Sequence, residues 1–190
     1  MTPRSAFTLA NGLVLSLCFV ATIEAFQARD HLTQQEVDLV KEAQELDKRI
    51  DVFVKAADRR LLALKGVDTA SAKQLKKDSE LWGDLPTGSR AELIYDIARI
   101  LDEAITNIDD VSSRDERNPL VPKALRQLAV EATRIVGELK PLSSQAKGDA
   151  EVASFEQVME NAHSILEAAN KLPPPVEKKK EKGKNNKTGT

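Results

Sequence analysis

One cysteine, two histidines, one tryptophan and one tyrosine are spread over 190 residues, and aromatic residues make up only 4% of the chain. Each shortage excludes something. The lone cysteine, Cys18, lies inside an apolar leading stretch, so a chain cleaved after that stretch has neither a disulfide nor a thiol nucleophile. The scarcity of aromatic side chains, without alternating β-branched runs, argues against a β-sandwich. CxxCH, HExxH and the paired Glu-x-x-His of di-iron bundles are missing, which removes the common cofactors of exported helical proteins. GxGxxG, the P-loop and GxSxG are missing too, which removes the usual nucleotide and hydrolase readings. The expectation is a protein that is not an enzyme and carries no cofactor.

What the chain does have is charge. Charged residues make up 31% of it, a balance that suits helices with solvated outer faces. Residues 1–28 read as an export signal: Arg4, then an apolar stretch from about Leu13 to Ile23, then Glu24-Ala25-Phe26-Gln27-Ala28. Cleavage after Ala25 or Ala28 fits, and so does retention as an anchor, because Ile23 and Phe26 occupy positions where small residues are preferred. The expected location is periplasmic or secreted. Residues 173–190, PPPVEKKKEKGKNNKTGT, contain no apolar pattern and read as a disordered tail with six lysines and two glutamates. Residues 29–172 hold 21 basic and 27 acidic side chains, so an acidic body precedes a basic tail, which is unlike a nucleic-acid binder.

The body divides into amphipathic segments. Thr33 with Glu36 forms a capping-box pattern, and from there one helix is expected to run to about Leu64, ending at Gly66. Its apolar stripe comprises Leu39, Ala43, Leu46, Ile50, Phe53, Val54, Ala57, Leu61 and Leu64. A short helix capped by Asp68 or Thr69 extends to Leu81, and Leu81, Trp82 and Leu85 are expected to cover one end of the fold. A second long helix starts at Ser89 and carries Ile94, Ile97, Ala98, Leu101, Ala104, Ile105 and Ile108. Residues 109–122 read as a solvated acidic loop with Asn118-Pro119 as its clearest break. The third long helix carries Val121, Leu125, Leu128, Ala132, Ile135, Val136 and Leu139, with Gly137 and Pro141 expected to bend or end it. The fourth, from Asp149 to Leu172, carries Phe155, Val158, Met159, Ala162, Ile165, Leu166 and Ala169. Four such stripes predict an all-α fold: an up-down four-helix bundle spanning 29–172, with a short extra helix in its first connection.

One stretch repeats itself. Asp47-Lys48-Arg49 recurs eleven residues later as Asp58-Arg59-Arg60, and eleven residues are almost three helical turns. On a helical wheel Asp47 and Asp58 fall on one shoulder of the stripe at about 80° and 100°, with Glu36, while Arg49 and Arg60 fall on the other at about 280° and 300°. The expected role is an edge of charge pairs or a partner-binding edge, each exposed pair worth under about 1 kcal/mol. The competing reading is an internal small-ligand or metal site built on Asp47, Asp58 and opposing basic residues. In the tail, Lys178, Lys179, Lys180, Lys182, Lys184 and Lys187 suit either a solubilising role or weak attraction to an anionic envelope surface.

The segment LTQQEVDLVKEAQELDKRIDVFVKAADRRL, above all Gln44 to Ile50 and its arginine-rich continuation, followed by a glycine break and further helices, resembles a group of exported bacterial proteins of acidobacterial type whose function is not established. The resemblance implies an exported helical protein, no activity and no functional residues. The reading that results is a non-catalytic bundle acting through contacts with a protein or an envelope polymer. The sequence carries no signal for the partner or the oligomeric state.

Overall fold

Local capping chemistry sets most of the helix starts. The computed structural model describes residues 30–174, and every regular element there is helical: α1 (Gln34–Glu42), α2 (Leu46–Lys65), α3 (Thr69–Trp82), α4 (Arg90–Arg114), α5 (Leu120–Ser143) and α6 (Asp149–Asn170). Residues 1–29, with Cys18 and the expected export signal, and residues 175–190, with the six tail lysines, lie outside the described residues. Thr33 and Ser89 open α1 and α4 with reciprocal capping boxes to Glu36 and Glu92, and the Asp68 carboxylate accepts from the Ser71 amide at the start of α3. At Gly66, Gly83 and Gly148 the backbone adopts positive φ, which glycine reaches without strain.

The first expected helix is two. Its stripe looks continuous, yet the Glu36 carboxylate lies 2.6 Å from Arg60 Nη1 across 24 residues of sequence, a separation of about 36 Å in an unbroken helix. The chain reverses at Ala43-Gln44-Glu45, where Ala43 and Glu45 take extended backbone conformations. No glycine or proline marks the turn. Arg49 holds it instead, donating through Nε and Nη2 to the Ala43 carbonyl at 3.2 Å each. That satisfies a carbonyl at the exposed end of α1.

Two other boundaries differ from the sequence pattern, and so does the exposure of two apolar residues. α4 continues to Arg114, so Asp109 and Asp110 are helical, with Arg114 pairing back to Asp110 at 3.7 Å; only residues 115–119 connect α4 to α5. α5 runs through Gly137 and Pro141 to Ser143, because the proline falls in the last turn, where few intrahelical bonds remain to be lost. In α6, Met159 is exposed although the stripe claimed it, and Leu81 at the end of α3 is exposed as well.

α2, α4, α5 and α6 pack around one core in a bundle-like arrangement, with Ile50, Phe53, Ile94, Ile97, Leu101, Leu128, Ile135 and Ile165 almost wholly buried. Side-chain pairs fix the directions. Arg49 meets Asn107 and Arg60 meets Asp96, so α2 and α4 run antiparallel. Arg90 meets Glu151 and Asn161 meets the Ala98 carbonyl, so α4 and α6 run parallel. α2 and α5 are also parallel: Asp47 pairs with Lys123, Asp51 with Gln127 and Asp58 with Arg134, each across 76 residues. Direction alternates along the chain, but the helices ring the core in the order α2, α4, α6, α5, with α4 and α5 diagonal to one another. The short 115–119 connection crosses that diagonal. Among the described residues no helix is long and apolar enough to cross a membrane.

Phe53 is fully buried at the centre of this core. Phe53→Ala is expected to lower unfolding free energy by about 3–5 kcal/mol in urea melts; a loss below about 1 kcal/mol would contradict the packing described.

Candidate functional site

The charged repeat is the place to build from, because the fold treats its two copies differently. Asp47, only 4% exposed, bonds to Lys123 of α5 through one carboxylate oxygen, while its Oδ1 has no hydrogen-bond partner. Lys123 holds the Asp47 carboxyl below the usual aspartate range. Asp58, half-buried, accepts from Arg134 of α5 at 2.5 Å, and Arg134 also binds Glu131 at 2.7 Å and Glu138 at 2.6 Å. Lysine and arginine on α5 thus carry the same eleven-residue spacing as the aspartates on α2, and the parallel register brings them face to face.

The two members of the Asp58–Arg134 pair both shift upward. Burial pushes the Asp58 carboxyl up and outweighs its single arginine. Burial opposes the charge of Arg134 as well, but its hydrogen bonds to three carboxylates overcome it and raise the guanidinium. This part of the repeat is an edge of pairs between neighbouring helices.

The arginines do not form the expected opposite edge. Arg49 closes the α1–α2 turn and reaches Asn107 on α4 at 3.1 Å. Arg60 is 1% exposed, one of the largest fully buried side chains, and lies where α1, α2 and α4 meet. It donates to Glu36 at 2.6 Å, to the Ala56 carbonyl at 2.9 Å and to the His31 carbonyl at 2.6 Å, with Asp96 at 3.9 Å from its Nε. Glu36 therefore does not share a shoulder with Asp47 and Asp58; the chain reversal swings it to the other side of α2.

Arg59, absent from the expected edge, is the residue that the wheel missed. It is 2% exposed. Its Nε donates to Glu36 Oε1 at 3.2 Å, and its Nη2 donates to the carbonyls of Trp82 at 3.0 Å, Gly83 at 3.2 Å and Asp84. Its guanidinium carbon sits 5.7 Å from the centre of the Trp82 ring, and Lys55 Nζ lies 5.8 Å from the same ring. Burial lowers the pKa of Arg59 from its ordinary value, against the pull of Glu36. A helical wheel drawn on α2 alone puts these arginines outside, because the elements that cover them, α1 and the 83–88 loop, arrive from elsewhere in the chain.

Beside this centre runs an open groove of about 480 Å³, bordered by Leu32, Thr33, Gln35, Arg60, Leu85 and Pro86. His31 Nε2 lies 2.6 Å from Glu103 of α4 and ties the segment before α1 to the bundle, while His163 stays exposed on α6. Among the described residues no three histidine, cysteine, aspartate or glutamate side chains are gathered as a metal site. Asp47 and Asp58 stand three helical turns apart, each on its own α5 cation.

Comparison with protein families, with curated proteins and with solved structures finds no match for this chain. The class that can be stated is an all-helical protein with an arginine pair buried on a single glutamate.

Glu36→Gln removes a carboxylate bonded to both arginines and is expected to cost about 3–5 kcal/mol, as stranding a buried charge does. Asp58→Ala, at a half-solvated pair, is expected to cost under about 1 kcal/mol. Urea melts of the two variants side by side check the contrast, and equal losses would contradict it. Acid should also weaken the fold in a defined way. Hydrogen bonds from Lys65, and with them Arg134, hold Glu138 below the usual glutamate range against the opposing effect of burial. A depressed folded pKa contributes stability that is complete above the unfolded value and is lost as pH falls through the folded one. Stability should therefore decline below about pH 4, and Glu138→Gln should show a smaller difference than the wild type between melts at neutral pH and in acid. An unchanged difference would remove Glu138 from the account.

Proposed function

We propose that this chain is an exported, non-catalytic protein, an up-down four-helix bundle that acts through contacts with a protein partner or an envelope polymer, its lysine-rich tail serving as a weak electrostatic tether. The observation that carries this reading is the use made of the charged repeat. Asp47 and Asp58 are bonded to Lys123 and Arg134, and Arg60 is bonded to Glu36. The groups with the most chemistry in them hold helices to one another, and that is scaffold work. The outer faces supply material for contacts: Tyr95 on α4, Val130 on α5, and Val152 and Met159 on α6 are large apolar side chains open to solvent. The export reading rests on the sequence of residues 1–28 and on the resemblance to exported helical proteins.

The tail contributes by charge alone. Each lysine close to an anionic surface adds on the order of 1 kcal/mol, and salt screens the attraction. Fractionation of cells carrying the full-length chain, beside a version ending at Leu172, tests both parts. The expected result is recovery outside the cytoplasm, with envelope binding that high salt releases and that disappears with the tail. Retention of both versions in the cytoplasm would reject export. Salt-resistant binding shared by both would reject the tether.

A further inference from the structure

An open groove of about 390 Å³ runs between α4 and α6, bordered by Ala91, Tyr95, Ala150, Ala153 and Gln157. The alanines leave it roomy, and the exposed Tyr95 stands at its edge. Next to it lies the outer line of α6. Asp149, Glu156, Glu160 and Glu167 fall within about 40° of one another, on the side of the helix away from Val158, Ala162 and Ile165. All four are exposed, and Glu167 alone among them has an ion-pair partner, Lys171.

This face differs from the other surfaces of the bundle. Elsewhere exposed aspartates have a cation beside them on the same helix: Asp38 has Lys41, Asp51 has Lys48, Asp102 has Arg99 and Asp110 has Arg114. Residues 149–170 contain no lysine or arginine at all. An apolar groove flanked by carboxylates suits lysine side chains, whose stems cover alanine while the ammonium reaches an acid or the face of a tyrosine ring. A second copy of this chain suits it badly, since a two-fold interface there would set Glu156 and Glu160 against acidic counterparts.

We infer that the lysine-rich tail of the same chain docks on this α4–α6 face, running back along α6 with its ammonium groups on the outer carboxylates. The lengths agree. The described chain ends at Pro174, just past the C-terminal end of α6, and Arg126 of α5 holds the Pro173 carbonyl there. Lys178 and Lys187 follow Pro174 by four and thirteen residues, which reach up to roughly 13 and 43 Å. The 22 residues of α6 measure about 33 Å, so the lysines can span the line from Glu167 to Asp149. Because tail and helix share one chain, the effective concentration is roughly millimolar and weak contacts suffice. The docking needs neither export nor an envelope. It competes with the proposed tether, since a lysine held on α6 is not free for an anionic surface.

The test is zero-length carbodiimide coupling of the purified full-length chain at low salt, which joins a lysine to a carboxylate in direct contact, with the monomer isolated and its linked peptides mapped by mass spectrometry. Links from Lys178–Lys187 to Glu156, Glu160 and Asp149 are expected, and they should vanish in about 1 M sodium chloride, where the Debye length is about 3 Å. Ala153→Arg sets a fixed cation in the groove, at an exposed position, and leaves every carboxylate in place. Circular dichroism should show its helices intact, with the tail links to Glu156 and Glu160 reduced several-fold. Tail links that favour Asp109–Glu116 at the end of the bundle, or that show no preference among surface carboxylates, would overturn the proposal. So would links confined to dimers, which would make the contact one between copies, or links that Ala153→Arg leaves unchanged.

Discussion

The Glu36 carboxylate sits where α1 meets two adjacent arginines of α2, and the packing of this end of the fold is organised around it. One oxygen accepts from the Thr33 amide and completes the cap of α1; the other accepts from Arg59 and Arg60 of α2. Those arginines in turn hold the His31 carbonyl and the carbonyls of residues 82–84. One side chain therefore fixes where α1 starts, that α1 folds back along α2, and where the chain leaving α3 must pass. The cost of desolvating two guanidinium groups and a carboxylate has to be offset by acceptors, which most of the N–H groups find, Arg59 Nη1 and Arg60 Nε excepted. That requirement explains why backbone carbonyls from two loops are drawn into the centre.

The other half of the fold depends on register instead of burial. α2 and α5 lie parallel, far apart in sequence, and their charges meet in step because both helices space them by eleven residues. Pairs of this sort contribute little stability each. They distinguish one alignment from its neighbours, since a shift by one turn would bring cation to the wrong partner. The apolar core supplies the stability, and the ladder selects the alignment.

Much of the helical content was readable from the sequence, and the reasons are local. The Thr33–Glu36 capping box, the Asp68 and Ser89 starts and the stripes of α4 and α5 depend on residues close together in the chain, so periodicity and capping chemistry reveal them. The α1–α2 reversal was hidden because its cause is distant: Arg49 reaching back to Ala43, and Glu36 reaching residues 23 and 24 positions ahead. The candidate site was legible in the same proportion. The aspartate edge was visible as a repeat, while Arg59 was invisible as a buried group because the segments that cover it belong to α1 and to the loop after α3. A glutamate that caps one helix and precedes two adjacent arginines on the next gives no signal in a wheel drawn through a single continuous helix.

The parallel ladder has a consequence for how this sequence can change over time. A single residue inserted within α5 between Lys123 and Arg134 would rotate everything after it by about 100°. It would turn Arg134 away from Asp58 and at the same stroke carry Ile135 and Leu139 out of the core. A compensating insertion would have to arise in α2, 76 residues away. Residues 115–119 and the turn at 66–68 bear no such coupling. Length variation in descendants of this chain should accumulate in those connections, while the helices between them keep their residue count even as their surface composition drifts.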